Sequence, residues 1–422
     1  MSLEKTLIVV GGPTASGKTS LAIQLANHFN TEIISADSRQ FYKEMSIGTA
    51  KPTAEELAQA PHHFVGHISV QSEYSAGQFE KEAMMVINEL FKHKEFVILA
   101  GGSGLFLKAI TEGLDNFPEI DPRVRQTLNA EYEEKGIAHL QEELKTADPK
   151  YYEDIDRENP RRLIRALEVI RSTGHPMSYY QKGKEKNRPF SIVYLQPHWT
   201  RQKLYERIDR RVELMFEAGL EDEAKKLQAY SHLQSLQTVG YQEIFEYLAG
   251  KTDLKKAKTL IQQNSRRYAK RQLTWARQRG QWVLLRPNFN ESAIEYLNFI
   301  RTGWNWKIEH IKRPDKSRHA EEKISKITFS NEHQKAEVLI AKQPKIMQTY
   351  WELSDELDNS IKQFLLQQVE MGADNLLLLN WIAKKNAQLF EEKYEQKPGS
   401  GYFPFDSWVS DREKLVIFKK LK

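Results

Sequence analysis

The chain has 422 residues, 40 % of them apolar; at roughly 150 residues per domain this length suggests about three domains, and the apolar share excludes a disordered or fibrous protein. Lys plus Arg number 62 against 57 Asp plus Glu, and the resulting charge of +5 favours a polyanion partner only where the positive residues cluster. Cysteine is absent, which excludes a disulfide framework, a thiolate nucleophile, Cys-ligated zinc and an iron–sulfur cluster.

The first apolar run, Leu7–Val10, stops at Gly11 and Gly12, too short for a signal segment, and no stretch approaches the roughly 18 apolar residues of a membrane helix. A soluble, cytoplasmic protein with no membrane contact is expected. Residues 1–110 alternate short apolar strands (Thr6–Val10, Glu32–Ala36, Phe96–Ala100) with helical stretches (Ser20–Phe29, Ala83–Lys92), the rhythm of a parallel α/β sheet. From 111 to 190 the strands vanish, and polar helical pattern punctuated by Pro118, Pro122, Pro149, Pro160 and Pro176 reads as a helical insertion. The apolar run Ser191–Leu195 resumes the sheet, and helices at 200–229, 237–249, 254–279 and 290–300 complete a core made of 1–110 and 191–305. Residues 307–326 are charged, without apolar period and with Pro314 at their centre, so they read as a linker. Helical periodicity in Ile361–Val369 and Leu376–Phe390 predicts that 327–422 form a separate, mostly helical C-terminal domain. The fold class expected is α/β: a P-loop NTPase-like parallel sheet flanked by helices, with a helical insertion and that C-terminal domain.

Chemistry is concentrated in a few places. Gly12-Pro13-Thr14-Ala15-Ser16-Gly17-Lys18-Thr19 fits the G-x-x-x-x-G-K-T phosphate loop and lies between a strand and a helix, as such a loop must. Its backbone N–H groups and the Lys18 ammonium suit phosphate oxygens, and Thr19 suits Mg²⁺. Asp37 follows the second strand, where an open parallel sheet binds ligands. Three roles are open to it: holding Mg²⁺, serving as base to a nucleophile, or capping the next helix. The strand Phe96–Leu99 leads into Gly101-Gly102-Ser103-Gly104, where a hydrolytic motor places its metal-binding Asp, and no Asn-Lys-x-Asp guanine box exists. Arginines cluster at Arg157, Arg161, Arg162, Arg165 and Arg171, and again from Arg266 to Arg279 without any acid; two such helices, with Tyr268 and Trp275, favour an RNA surface over a solvated face. His62, His63 and His67 invite a metal, but no companion carboxylate completes a site.

Taken together, Gly12–Thr19, Asp37-Ser38-Arg39-Gln40-Phe41-Tyr42, Ile47–Pro52, Pro61-His62-His63, Tyr74-Ser75-Ala76, Gly101-Gly102-Ser103, Arg161–Val169, Val239-Gly240-Tyr241 and Arg267–Trp275 resemble the tRNA dimethylallyltransferase (tRNA isopentenyltransferase) family, in order, from residue 5 to about 300. The resemblance implies transfer of the dimethylallyl group of dimethylallyl diphosphate to the exocyclic amine of the adenosine 3′ of the anticodon, with Mg²⁺ and release of diphosphate. It implies Asp37, Lys18 and Thr19 as catalytic, Thr19 as the Mg²⁺ ligand, and Gly12, Pro13, Thr14, Ala15, Ser16, Gly17, Lys18, Thr19 and Arg211 as the diphosphate site. It further implies that Asp37, Ser38, Arg39, Gln40, Ser103, Arg161, Arg162, Leu163, Ile164 and Arg165 contact tRNA, and that 111–190 grips the anticodon stem. Ser103 stands where many members have Thr, and without cysteine the zinc finger of eukaryotic relatives cannot form, which favours the bacterial type. Residues beyond about 307 match nothing in the family and are assigned to a protein partner or to self-association. Two rival readings are a small-molecule P-loop kinase, which predicts ATP binding, and a non-catalytic RNA-binding scaffold, which leaves Asp37 beside a phosphate loop unexplained.

Overall fold

The computed structural model describes residues 5–118, 120–181, 183, 186–280, 282–285, the helical positions 290, 293, 294, 296 and 297, and strand backbone at 305–315, 320–330, 335–342 and 415–418. In chain order the first elements are β1 (Thr6–Val10), α1 (Lys18–His28), β2 (Ile33–Ser35), α2 (Ala54–Gln59), β3 (His62–His63), α3 (Ala76–Leu90), β4 (Phe96–Ala100) and α4 (Gly104–Thr111). Then come α5 (Pro122–Lys135), α6 (Ile137–Ala147), α7 (Pro149–Asp154), α8 (Pro160–Thr173) and α9 (Met177–Tyr180). The sheet resumes at β5 (Ser191–Pro197), followed by α10 (Arg201–Glu217), α11 (Leu220–Leu227), α12 (Tyr241–Leu248), α13 (Leu254–Gln278) and β6 (Trp282–Leu285).

Six strands form one parallel sheet in the order β3-β2-β4-β1-β5-β6. β1 lies inside it with Leu7, Ile8, Val9 and Val10 fully buried, which explains its unbroken apolar run: a parallel strand covered on both faces has no polar side to alternate. Because β4 pairs with β1 on one edge and with β2 on the other, Val10, Ala100 and Ser35 end side by side, and the segments leaving them converge. The convergence is tight at Gly101, where a Cβ would lie 2.3 Å from the Ala36 carbonyl oxygen.

Two strands of this sheet were not anticipated. β6 is an apolar Trp-Val-Leu-Leu run soon after Gly280, too short to show a period. β3 is the His62-His63 pair, and because successive strand residues face opposite ways the two rings point apart. His62 Nδ1 bonds the Ala60 carbonyl at 2.8 Å and His63 Nε2 bonds Glu32 at 2.6 Å.

The chain divides into two compact units, one of residues 75–81 and 108–188, the other of the remainder. The smaller unit is helical, with Leu128, Leu140, Leu144, Leu163, Leu167 and Val169 in its core. Its helices start as their sequences dictate: Pro122, Pro149 and Pro160 open α5, α7 and α8, where a missing N–H costs nothing. Asp148, 2 % exposed, caps α7 through Tyr151 N and also accepts from Ser178 N and Oγ, tying α7 to α9.

Beyond the core, β7 (Asn305–Asp315), β8 (Ala320–Ser330), β9 (Lys335–Lys342) and β10 (Leu415–Phe418) form an antiparallel sheet in the order β10-β9-β8-β7. The linker expected at 307–326 is thus corrected to most of a β-hairpin. Charged residues between the apolar ones masked the strand, but the register pairs Trp306 with Phe329, Ile308 with Ile327 and Ile311 with Ile324. Pro314 is tolerated because β7 is an edge strand near its end. The described part of the C-terminal region is therefore strand and not helix, while the helical expectations at 361–369 and 376–390 fall outside the described residues. Among the described residues no helix is long and apolar enough to cross a membrane.

Gly101→Ala is expected to lower stability by about 1–3 kcal/mol, since the methyl group meets backbone that cannot yield. Urea unfolding followed by circular dichroism measures it.

Candidate active site

The phosphate loop runs from the end of β1 to the start of α1. Gly17 opens the helix in a left-handed conformation (φ 99°) with no side-chain cap, so the first-turn N–H groups of Lys18 and Thr19 have no partner within the helix. Side chains from three other segments brace the loop. Arg207 Nε donates to the Ala15 carbonyl at 2.8 Å, and Trp199 Nε1 donates to the Ser16 carbonyl at 2.8 Å. The Arg207 guanidinium also stacks on the Trp199 ring at 4.3 Å. With these carbonyls drawn away, Ala15 is held at φ 62°, a left-handed conformation unusual for a side-chain-bearing residue. The Thr14 N–H donates to Gln272 Oε1 at 2.8 Å. Ser16 Oγ is buried without a hydrogen-bond partner, a hydroxyl the protein itself leaves unsatisfied.

Asp37 to Gln40 leave the end of β2. One Asp37 oxygen accepts from Arg39 N at 3.1 Å. Ser38 is joined to the β4 loop twice, through its N–H to Ser103 Oγ at 3.0 Å and its hydroxyl to the same oxygen at 3.1 Å. Ser103 also bonds the Tyr268 hydroxyl, so a serine at this position makes the contacts that place it. Gln40 donates to the carbonyls of Thr49 (3.3 Å) and Ala50 (3.0 Å), and Arg211 Nη2, from α10, reaches Thr49 O at 3.4 Å. Arg39 turns the other way, onto the carbonyls of Gln234 and Ser235.

Two cations and one carboxylate lie within electrostatic reach of one another here. Burial lowers Lys18 from 10.5 to about 8; Asp37 partly restores it and Arg211 lowers it further. Arg211 is lowered by burial and supported by Asp37. Tyr268 is pushed up to about 12 by burial and then by the Asp37 charge, which keeps its hydroxyl protonated. Lys18 Nζ meanwhile donates to the Pro13 carbonyl at 2.7 Å. Two desolvated cations against a single carboxylate make the cleft short of negative charge, the electrostatics of an anion site.

The structure brings together Gly12 to Thr19, Asp37 to Gln40, Ser103 and Arg211. The arginines of α8 lie in the helical unit. Arg161 and Arg162 are exposed and make no ion pair among the described residues. Arg165 instead pairs with buried Glu168 at 3.1 Å, alongside Arg125, and lies 5.5 Å from the Phe117 ring. Leu163 and Ile164 are buried in that unit's core, so their side chains are shielded from a nucleic acid. On α13, Arg267, Lys270, Arg271 and Arg277 are exposed, while Tyr268 and Trp275 are partly buried: Tyr268 bonds Ser103, and the Trp275 indole would be 2.6 Å from a Cβ on Gly104. Their spacing of seven residues, two helical turns, put them on one inward face.

Gln272, Trp199, Arg207 and the pair Glu223 and Tyr241 were not anticipated as site residues. The Glu223 carboxylate accepts from the N–H groups of Ser46, Ile47 and Gly48 at 2.9–3.0 Å and from the Tyr241 hydroxyl at 2.6 Å, fixing the loop whose Thr49 carbonyl meets Arg211. Only the sequence run around Val239-Gly240-Tyr241 hinted at this, since the contacts join segments about 175 residues apart.

A family model described as IPP transferase matches residues 40–279. The chain belongs to the IPP transferase family. It is 52 % identical over 301 residues to the tRNA dimethylallyltransferase of Christiangramia forsetii, covering 71 % of this chain and 98 % of that one. With the tRNA dimethylallyltransferase 1 of Bacteroides thetaiotaomicron it shares 44 % over 292 residues, 69 % of this chain and 95 % of the relative. Among solved structures, the tRNA isopentenylpyrophosphate transferase of Bacillus halodurans superposes with a TM-score of 0.52 at 37 % identity, covering 71 % of this chain and 96 % of that one. A eukaryotic dimethylallyltransferase acting on tRNA superposes with a TM-score of 0.60 at 27 % identity, covering 71 % and 80 %. As a member of this family the chain is a prenyltransferase that modifies tRNA, and the kinase alternative finds no support.

Glu223→Ala removes the acceptor of three backbone N–H groups and one hydroxyl, and because the group is partly solvated the expected loss is about 2 kcal/mol. Thermal unfolding beside Tyr241→Phe, which deletes only one donor and is expected to cost less, measures it.

Proposed function

We propose that this enzyme transfers the dimethylallyl group of dimethylallyl diphosphate to the exocyclic amine of the adenosine 3′ of the anticodon, in the cytoplasm, with the phosphate loop holding the leaving group. The observation that carries the reading is the meeting of Lys18, Arg211 and Asp37 at the carboxyl ends of β1 and β2, two cations for a diphosphate and one base beside them.

The amine nitrogen attacks the allylic carbon, the carbon–oxygen bond breaks, and its electron pair leaves on diphosphate. Lys18, Arg211 and the N–H groups at the start of α1 stabilise the charge growing on the leaving oxygens. The proton shed by the amine passes to Asp37, whose other oxygen makes no hydrogen bond among the described residues while Arg39 N holds the first. Ser38 and Ser103 present hydroxyls on the nucleophile side. The target base leaves its stack to reach them, as a duplexed or stacked base cannot. For Mg²⁺ the fit is good: the Thr19 hydroxyl has no protein partner among the described residues, and nearby donors are hydroxyl and carboxylate oxygens, the hard ligands this ion takes. Bound there, it adds positive charge to the diphosphate.

Arg161 and Arg162, free and exposed, are the α8 residues that suit the phosphates of the anticodon stem, with the exposed face of α13 as a second basic surface. Arg165, engaged with Glu168, serves mainly to order α8. The residues after 305 serve a protein partner or self-association and no step of the transfer.

Lys18→Ala and Thr19→Ala are expected to lose about 10²- to 10³-fold in turnover with tRNA affinity nearly intact. Mass analysis of nucleosides from treated tRNA, paired with filter binding, measures both. Inorganic diphosphate titrations give the pH signature. Lys18 is half deprotonated near pH 8 in the free enzyme and must regain its proton to meet the anion. The contribution of Lys18 to affinity is therefore unchanged below that pH and falls by up to about tenfold per unit above it, with proton uptake on binding. Lys18→Met abolishes the break. Changing Arg161 and Arg162 to Gln is expected to lower the slope of log K for tRNA against log salt by about one per lost phosphate contact. An unchanged slope identifies them as a solvated face.

A further inference from the structure

We propose that Gln272 is a positioning residue that sets the distance between the leaving-group loop and the nucleophile loop; the inference rests on the reading of the reaction given above. Its amide uses both ends. Oε1 accepts from the Thr14 N–H at 2.8 Å, and Nε2 donates to the Gly102 carbonyl at 2.9 Å. The fit has no slack, since a Cβ on Gly102 would stand 2.3 Å from Nε2. Tyr268, four residues earlier, bonds Ser103, and Trp275, three later, covers Gly104, so one face of α13 grips residues 102–104 while the middle side chain also holds the phosphate loop.

The two loops leave adjacent strands, whose last backbone bond is Gly101 N to the Val10 carbonyl. Past that point Gln272 is the side chain that joins them among the described residues. Thr14 belongs to the loop for the diphosphate, while Ser103 bonds Ser38, next to the proposed base Asp37. Displacement at carbon needs nucleophile, carbon and leaving oxygen nearly in line. A shift of one loop past the other leaves each substrate bound and spoils the approach, a loss that falls on the chemical step. The Thr14 N–H is also withheld from the anion by this bond, so Gln272 has no part in phosphate binding itself.

Gln272→Met keeps the volume and removes both bonds; Gln272→Glu keeps an acceptor for Thr14 and loses the donor for Gly102. Both are expected to lower kcat by about 10²-fold while KM for dimethylallyl diphosphate and tRNA stays within about threefold. Gly102→Ala, which pushes the amide away from the other side, should match them. Hydrogen exchange gives a readout independent of turnover: the Thr14 amide should lose protection in Gln272→Met, and the α1 amides should not. A kcat equal to wild type, a loss confined to KM for dimethylallyl diphosphate, or unaltered Thr14 exchange overturns the proposal. If Gln272→Met does not fold, Gln272→Glu and Gly102→Ala decide the matter by the same split. If the wild type binds inorganic diphosphate yet prenylates no tRNA, the reaction reading fails by itself, and Thr14 exchange still tests the clamp.

Discussion

Two partly buried, desolvated cations near one carboxylate is the constraint from which the rest of the larger unit follows. Lys18 and Arg211 are both disfavoured by desolvation, and Asp37 relieves each of them only in part. Such an arrangement is stable only if the surrounding fold holds it in place, because every group would gain by moving toward water. The supports are visible: α10 carries Arg211 against the Thr49 carbonyl, the Glu223 carboxylate pins the backbone of 46–48, and the sheet register brings the Asp37 segment alongside the phosphate loop. An anion placed between them would relieve the imbalance, so the excess of positive charge is itself a source of binding energy.

The same arrangement explains why a phosphate loop here lacks the parts of a hydrolytic motor. Hydrolysis needs a positioned water and a carboxylate for the metal at the end of a neighbouring strand. In this chain that strand ends in Gly101-Gly102-Ser103-Gly104, which packs against Ala36 and α13 and carries a single hydroxyl, Ser103, joined to Ser38. The diphosphate is a leaving group that departs with its electron pair, and cations with helix N–H groups are sufficient to receive it.

Division of labour between the units follows from composition. The catalytic unit spends its buried polar groups on hydrogen bonds between loops. The helical unit buries a regular apolar core and keeps Arg161 and Arg162 in water, while drawing Arg165 and Arg125 onto Glu168. An arginine run in sequence is therefore not uniform in its contacts: spacing of three and four residues decides which side chain meets a buried acid and which one stays in water.

The sequence by itself determined the α/β class, the phosphate loop, Asp37 after β2 and the helical insertion, because each is a local pattern: period, glycine placement, proline at helix starts. It determined the family through ordered blocks of such patterns. It could not reveal β6, since four apolar residues have too little period, nor the β7–β8 hairpin, whose apolar residues become a pattern only when Trp306 meets Phe329 and Ile308 meets Ile327. Nor could it sort Leu163 and Ile164 from Arg161 and Arg162, or show that Tyr268 and Trp275 face inward. Only the tertiary structure decided the contacts of Gln272, Arg207, Trp199 and Glu223. Their partners lie about 170 to 260 residues away, and a hydrogen bond across that separation depends on where the folded sheet sets two loops, a distance that no local spacing encodes.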